Sequence, residues 1–382
     1  MSHSAQRTTI QLKRSPTMDS VTQIALGASV CYAAIGPKIG KRALIIGAIV
    51  GSLPDLDVLV PYDDAIASFT YHRSWSHSLF VLSLCSLPLA WIIRRATARD
   101  LSGKASFAQW WLAIWLVLFT HPLLDIFTIY GTQIWWPLPL PPVAIGSIFI
   151  IDPLYTLPLL VGCIIAWRST GSHGQKEFLL RLRARRVVIA GLTISCFYLG
   201  WTLLSYSFTA QRLEQQLQLQ QIDAKTRVIA PFPTAVLWRI VVTENDSYKE
   251  SFSSLFDDQT LPLQFTTFRN AQDECLRKIA APSVHWAIKR MDWFTDGVIA
   301  VTRKNDRLLI TDLRMGIEDD YVFTFDIGGW EADQFIPSLA TQHPLDFDFA
   351  RLSSVLSRIT DQSITVSNPP SPFHTTSSAS KC

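Results

Sequence analysis

The distribution of apolar residues constrains this chain more than any other feature. Long apolar runs fill residues 21–210, and no glutamate occurs before Glu177. Only 17% of all residues are charged, whereas roughly 25% are charged in soluble domains. After residue 210 the composition becomes that of an ordinary globular domain. We therefore predict a membrane part followed by an extramembrane part.

The apolar runs predict several membrane spans. A spanning helix needs roughly 20 predominantly apolar residues. Five segments approach this length: 43–60, 78–93, 107–129, 148–167 and 187–208. The run at 21–36 is a weaker sixth candidate. We predict a mainly α-helical polytopic domain of about 5–6 spans over residues 18–210, after a basic segment at 1–17.

The loops between the runs differ in charge. Lysine and arginine concentrate in the loops at 37–42, 94–106 and 168–186, whereas residues 131–147 carry no charge. Because cytoplasmic loops are enriched in lysine and arginine, the alternation favours six spans with both termini outside. The basic residues Arg7, Lys13 and Arg14 oppose an outside N-terminus, so its side stays open.

The second half of the chain predicts a different fold. After a polar helix at 211–221, strand-like runs are separated by turn signals. These runs cover residues 236–242, 297–302, 307–313 and 321–327. We predict a small β-rich α+β domain over 211–350 on the outer side of the membrane. Residues 351–382 form a C-terminal segment whose Ser/Thr/Pro-rich tail is predicted to be disordered.

Ionisable residues stand where the apolar runs begin or end. Such residues are costly in a membrane and mark functional sites by default. They form five groups, in chain order: Asp19, Leu53-Pro54-Asp55-Leu56-Asp57, His72-Arg73-Ser74-Trp75-Ser76-His77, His121-Pro122-Leu123-Leu124-Asp125 and Asp152-Pro153. The topology derived from the loop charges brings the last four groups to the outer face. Asp19 joins them if the N-terminus is outside.

These residue types together indicate a metal site. Imidazole and carboxylate ligands suit zinc, manganese or iron, and a metal-bound water can serve as a hydrolytic nucleophile. The predicted ligands are Asp55, Asp57, His72, His77, His121 and Asp125. Asp19 and Asp152 are candidates for a supporting contact or the general base, and Arg73 for holding an anionic substrate such as a phosphate.

Other functions are weaker or remain open. A net charge of +3 is too small to indicate nucleic-acid binding, and the chain has no Gly-rich phosphate loop and no nucleophile elbow. The same aspartates and histidines would also serve a transporter pathway, or structural hydrogen bonds in a non-catalytic membrane scaffold. No sequence feature names a protein partner.

In their order along the chain, these motifs resemble the YdjM-like family of bacterial inner-membrane-bound, metal-dependent hydrolases. The resemblance rests on Asp19 to Thr22, the three Asp/His motifs and Asp152-Pro153, and extends to Leu237-Trp238-Arg239 and Thr311-Asp312-Leu313-Arg314-Met315-Gly316. It implies a multi-pass inner-membrane hydrolase that uses a divalent metal, zinc or manganese. The early motifs are also similar to zinc-dependent phospholipase C proteins, which implies a phosphoester or lipid-like small-molecule substrate.

Two positions depart from the pattern of that family. Gln23 stands where the family commonly has histidine, and glutamine is a poor metal ligand. Ser76 stands where the family commonly has threonine, which preserves the hydroxyl group. The first difference places the contribution of the first helix, and with it the activity, in question.

Overall fold

The computed structural model describes residues 20–98, 104–169, 175–232, 234–318, 320–332, 334–344 and 349–366. Asp19, the predicted N-terminal segment and the predicted disordered tail lie outside the described residues. The first half of the chain is helical. Its helices are α1 Ser20–Ile39, α2 Arg42–Ser52, α3 Ala65–Tyr71, α4 Leu79–Ala96, α5 Phe107–Asp125, α6 Pro153–Arg168 and α7 Gln175–Leu219.

Three helices among the described residues are long and apolar enough to cross a membrane. They are α4, α5 and residues 178–219 of α7, while α2 and α6 are shorter apolar helices. The helical first part is therefore confirmed, whereas the count of 5–6 spans stays a prediction. The predicted span at 43–60 is in fact α2 followed by a 3₁₀ turn over Pro54–Leu59.

Helices α1 and α2 form a tightly packed hairpin that depends on glycine. A Cβ atom added to Gly47 would lie 2.2 Å from the carbonyl oxygen of Gly27, and one added to Gly27 would lie 2.3 Å from that of Gly47. Gly47 and Gly51 are four residues apart, the small-residue spacing that lets membrane helices approach closely. This contact brings the end of α2 against Gln23 of α1, since a Cβ on Gly51 would lie 3.0 Å from the Gln23 carbonyl.

The second half of the chain is β-rich, as predicted. Strands β1 Thr226–Phe232, β2 Thr234–Thr243, β3 Ser247–Ser254 and β4 Thr266–Arg269 form one antiparallel sheet in the order β1-β2-β3-β4. A second sheet has the order β10-β9-β6-β5, with bounds β5 Ile299–Lys304, β6 Arg307–Asp312, β9 Thr324–Glu331 and β10 Gln334–Gln342. The remaining elements are β7 Gly316–Ile317, β8 Asp320–Tyr321, α8 Gln272–Lys278, α9 Pro282–Thr295 and α10 Phe349–Arg358.

Helix α7 joins the two halves. Its 45 residues correspond to about 67 Å at 1.5 Å per residue, so it is much longer than one span needs. Leu213 and Leu217 at its C-terminal end pack with Trp238 of β2. The helix therefore runs continuously through residue 210, where the domain boundary was placed, and carries the first sheet on its end.

The two halves also share a hydrophobic core. Ile66 and Phe69 of α3 and Tyr130 after α5 are buried together with Phe294 of α9 and Phe325 of β9. The Phe69 ring lies 5.0 Å from the ring of Phe294 and 5.4 Å from that of Phe325. The β-rich part is therefore packed directly onto one end of the helical part.

The glycine contact predicts that Gly47→Ala destabilises the protein. The new methyl group would overlap the Gly27 carbonyl, and overpacking of this kind costs roughly 1–3 kcal/mol. The apparent melting temperature in detergent should fall by several degrees. Gly200→Ala is the matched control, because nothing lies within 4 Å of a Cβ built at Gly200; an equal loss in both variants would contradict the packing role.

Candidate metal centre

Three helix ends meet at one end of the bundle and bring the Asp/His motifs together. Asp55 lies in the 3₁₀ turn Pro54–Leu59 that follows α2, and His77 ends a second 3₁₀ turn, Trp75–His77, just before α4. His121 and Asp125 lie in the last two turns of α5. Because α2 and α5 run towards this end and α4 runs away from it, the motifs converge.

Four of the predicted ligands present one donor atom each to a common centre. The His77 Nε2 atom lies 3.3 Å from Asp55 Oδ1 and 3.2 Å from Asp125 Oδ2. The His121 Nε2 atom lies 3.4 Å from both of these oxygens and 3.1 Å from His77 Nε2. This buried Asp/His group could hold a metal ion.

The distances between donors match those of a tetrahedral site. Zinc binds histidine nitrogen and carboxylate oxygen at 2.0–2.2 Å, which places tetrahedral ligands roughly 3.3–3.6 Å from one another. The five donor separations given above span 3.1 to 3.4 Å. These separations are close to the spacing that a four-coordinate ion requires.

In the described part of the chain, the two carboxylate oxygens of this group contact the histidines but no other hydrogen-bond donor. Asp55 Oδ1 and Asp125 Oδ2 are buried and, among the described residues, have no hydrogen-bond partner beyond their close contacts with His77 and His121. A buried oxygen without a partner costs free energy, and a bound cation would remove that cost. The orphaned oxygens are the two that face the histidines, which is the arrangement expected of metal ligands.

Each histidine is oriented by its other ring nitrogen. His121 Nδ1 lies 2.7 Å from the carbonyl oxygen of Gly51, so its N–H donates a hydrogen bond to that oxygen and Nε2 keeps a lone pair. His77 Nδ1 lies 2.9 Å from Ser76 Oγ, and this hydroxyl donates to Asp57 Oδ2 at 2.5 Å. Contacts of this kind fix the tautomer of metal-binding histidines.

Asp57 and His72, both predicted as ligands, lie beside the four-donor group. His72 Nδ1 is 2.6 Å from Asp57 Oδ1, and the Arg73 backbone N–H donates to Asp57 Oδ2 at 3.0 Å. Both Asp57 oxygens are thus occupied by hydrogen bonds. Asp57 therefore orients His77 through Ser76 and fixes the backbone at Arg73. The second ring nitrogen of His72, Nε2, is buried without a hydrogen bond.

The second oxygen of Asp125 is held by Gln23 and Arg73. Gln23 Nε2 donates to Asp125 Oδ1 at 2.9 Å, and Arg73 Nη2 lies 2.9 Å from the same oxygen. Gln23 is therefore not one of the four donors but turns the free oxygen of Asp125 towards the histidines. Arg73 has a positive φ of 58°, an uncommon conformation for a residue other than glycine.

The remaining sequence candidates have different surroundings. Asp152 caps α6, where its Oδ1 accepts from the N–H groups of Leu154 and Tyr155, and its Oδ2 accepts from the Tyr198 hydroxyl. This carboxylate is therefore committed to the helix start. Asp19 lies outside the described residues, and Arg73 is engaged with Asp125 and with Thr128 Oγ1 at 3.2 Å.

The electrostatics of the group favour a cation at its centre. Burial alone would lower the pKa of His77, but the neighbouring Asp125 and Asp55 carboxylates overcome this effect and raise that pKa to about 9. Without a metal the carboxylates therefore hold a proton on His77 at neutral pH. A metal ion would take over the charge of that proton, as expected when ligands must deprotonate on binding.

A small cleft reaches the group from the side. Its lining is mixed: it includes the charged residues Asp55, Arg73, Asp125 and Asp152 and the apolar residues Ile148 and Ile150. Asp55 is the most exposed of the four donors, with 17% of its side chain accessible, compared with 3% for Asp125. Asp55 is thus the donor that an incoming molecule reaches first.

The β-rich part fastens the segment that carries His72, Arg73 and His77. Asp64 Oδ2 accepts from the N–H of Ala340 in β10, and Arg290 of α9 donates to Thr70 Oγ1 at 2.9 Å and to its carbonyl oxygen. Thr70 lies two residues before His72. Sequence reasoning missed this support, since 220 residues separate Arg290 from Thr70 and no local pattern connects them.

The similarity of this chain to a known protein family covers its helical half. Residues 18–209 match the family model described as YdjM inner membrane protein. A similar curated protein is the uncharacterized protein YfhP of Bacillus subtilis (strain 168), with 25% identity over 233 residues. The match covers 59% of this chain and 65% of YfhP, slightly less than two thirds of that relative. No solved structure matches the chain.

The contacts of Asp57 predict that Asp57→Asn weakens metal binding without unfolding the protein. Loss of the carboxylate charge loosens the Ser76 and His72 contacts, and residues that orient metal ligands typically contribute 10–100-fold in affinity. Zinc titration of the purified protein measures this loss. Asp326→Asn in the second sheet is the control, and equal affinity in both variants would contradict the supporting role of Asp57.

We call the hydrogen bonds from Arg290 to Thr70 the clamp. The clamp predicts that Arg290→Ala also weakens metal binding, although Arg290 lies in the β-rich part. The loop before His72 would lose its anchor, and we expect a loss of roughly tenfold, the lower end for orienting residues. Arg307→Ala is the matched control, because Arg307 is paired with Asp326 at an exposed position. A change in thermal stability alone, with unchanged zinc affinity, would show that the clamp only stabilises the fold.

Proposed function

The chain belongs to the YdjM inner membrane protein family, and from this premise we propose that it is a membrane-bound, metal-dependent hydrolase. One observation carries the proposal: two aspartates and two histidines place four donor atoms within 4.8 Å of one another at the end of the bundle, close to the spacing around a tetrahedral ion. The substrate that suits this site is a phosphoester or lipid-like molecule.

Each residue has a role in this proposal. Asp55, His77, His121 and Asp125 hold a divalent ion, with zinc favoured by the tetrahedral spacing and manganese as the second choice. Asp57, through Ser76, and the Gly51 carbonyl orient the two histidines. Gln23 and Arg73 orient Asp125, so the departure at Gln23 is compatible with metal binding.

A divalent ion bound here would lower the pKa of a bound water and polarise a phosphoryl oxygen. Arg73 lines the cleft and adds positive charge beside the position of an anionic group. Asp55, the most exposed donor, is the side chain that can yield space at the centre. His72, held by Asp57 through Nδ1, keeps Nε2 available to accept a proton.

A second candidate function is a membrane scaffold with a structural metal. The observation in its favour is the number of donors, since four protein ligands close a tetrahedron and catalytic zinc sites normally keep one position open. A hydrolase would therefore need five-coordination or displacement of Asp55. A transporter is the third reading of the same buried aspartates and histidines.

We further propose that the site faces the periplasm. The lysine- and arginine-rich loops lie at the opposite ends of α1, α4 and α6, which supports a cytoplasmic position for those ends. In this arrangement α1, α2 and α6 complete a domain of 5–6 spans with α4, α5 and α7, and the β-rich part lies outside.

The proposal predicts near-stoichiometric metal in the detergent-purified protein. Mass spectrometry should find about one zinc or manganese per chain, because the four donors describe a single site. The His77→Ala/His121→Ala variant should lose it. His285→Ala is the control, since the His285 Nε2 atom in α9 lies 2.7 Å from the carbonyl oxygen of Ile279, just after α8. No metal in the wild type, even after zinc or manganese is added, would overturn the proposal.

Turnover separates the hydrolase from the scaffold. The metal-loaded wild type should hydrolyse a generic phosphoester such as p-nitrophenyl phosphate, and the double variant should not. Full metal occupancy without turnover of any ester in a phosphoester screen would favour the structural role and contradict the hydrolase.

A further inference from the structure

The loop that follows α5 presents an apolar surface beside the metal centre. Residues 135–141 read Trp-Trp-Pro-Leu-Pro-Leu-Pro, and all seven are exposed. Half of the Leu138 side chain is accessible, as is 47% of Leu140. We name residues 135–141 the apolar collar. Exposed apolar residues that are contiguous usually mark a contact surface.

The collar continues the exposed apolar side of α4. Its Trp135 ring lies 6.2 Å from the ring of Phe80 in α4, one of the three helices suited to span a membrane. Phe80 is 47% exposed, and Leu84 further along α4 is 72% exposed. The exposed apolar side of α4 and the collar therefore form one apolar surface.

The backbone of the collar also suits the membrane boundary. Pro137, Pro139 and Pro141 have no N–H group, and the Leu138 N–H is satisfied by the Trp135 carbonyl at 2.9 Å. Few donors therefore need water, which matters because unpaired backbone groups are costly in lipid. Tryptophan side chains favour the level of the lipid headgroups, so Trp135 and Trp136 would set the depth of the collar in the bilayer.

The collar and the metal centre lie at the same level along the bundle. Ser78, the residue after His77, donates from its hydroxyl to the Trp136 carbonyl at 2.6 Å. The Gln133 N–H donates to the Arg73 carbonyl at 2.9 Å. The segment from Arg73 to Ser78, which carries His77, is thus hydrogen-bonded at both ends to residues 133–136, where the collar begins.

We propose that the collar inserts into the headgroup boundary of the adjacent leaflet, so that the metal centre lies at the depth of lipid phosphates and acts on a membrane lipid. The mixed lining of the cleft supports this substrate class, since Arg73 would offer positive charge to a phosphate and Ile148 and Ile150 would offer apolar contact to an acyl part. Hydrolysis breaks one phosphorus–oxygen ester bond; water gives its hydroxyl to phosphorus and a proton to the leaving alcohol oxygen. The substrate assignment rests on the proposed hydrolase function, whereas the insertion does not.

Photocrosslinking tests the insertion without any need for activity. The photoreactive p-benzoylphenylalanine replaces Leu138 in the full-length protein, reconstituted in phosphatidylethanolamine and phosphatidylglycerol vesicles. The control carries it at Leu339 of β10, which is 65% exposed. Mass spectrometry should find at least tenfold more lipid adduct at position 138. Equal adduct at both positions would overturn the insertion.

Hydrolysis tests the substrate class. Metal-loaded protein is given phosphatidylglycerol in vesicles and, separately, soluble p-nitrophenyl phosphate. Leu138→Lys/Leu140→Lys should lower vesicle hydrolysis at least tenfold and leave both the soluble reaction and the metal content unchanged, while Leu261→Lys/Leu339→Lys should change neither reaction.

The outcomes separate the two proposals. Turnover of the soluble ester without turnover of vesicle lipid would overturn the lipid substrate and leave the hydrolase standing. No turnover of either would overturn the hydrolase and its substrate together, and the crosslinking result would still decide the insertion.

Discussion

The need to neutralise two buried carboxylates organises this end of the protein. Asp55 and Asp125 each direct an oxygen without a hydrogen bond towards His77 and His121, at separations of 3.2 to 3.4 Å. These two oxygens lie within 4.8 Å of each other, and like charges this close in a buried site repel strongly, so a cation among them would stabilise the arrangement. A proton shared with histidine meets this need in part, and a divalent ion meets it fully. Contacts from Gln23, Arg73, Ser76 and the Gly51 carbonyl hold the side chains that carry these atoms.

The rest of the structure supplies rigidity to that arrangement. Glycines at positions 27, 47 and 51 bring α1 and α2 into backbone contact, and this places the Gly51 carbonyl on His121 and the Gln23 amide on Asp125. On the opposite side, the β-rich part packs against Phe69 and Tyr130 and binds Thr70 through Arg290. The site thus lies where a membrane bundle and an extramembrane domain share one core, and each half fixes a different part of it.

The same placement relates the site to the bilayer. Ser78 caps α4 and also donates to the Trp136 carbonyl, so the start of this apolar helix, the tryptophans and His77 lie close together in space. With the collar inserted as proposed, a site at this level would meet molecules that reside in the membrane before it meets those dissolved in water.

The sequence by itself determined the helical first half, the β-rich second half and the set of ionisable residues that meet at one end, because apolar runs and loop charges are local signals. The strands near 236–242 and 307–313 were predictable for the same reason. Only the tertiary structure separated the four donors from Asp57 and His72, since which carboxylate oxygen faces a histidine depends on contacts from other elements. It also gave Gln23 an orienting role and Asp152 a helix cap, and it joined Arg290 to Thr70. Such contacts between residues far apart in the chain arise from packing, and no periodicity or motif encodes them.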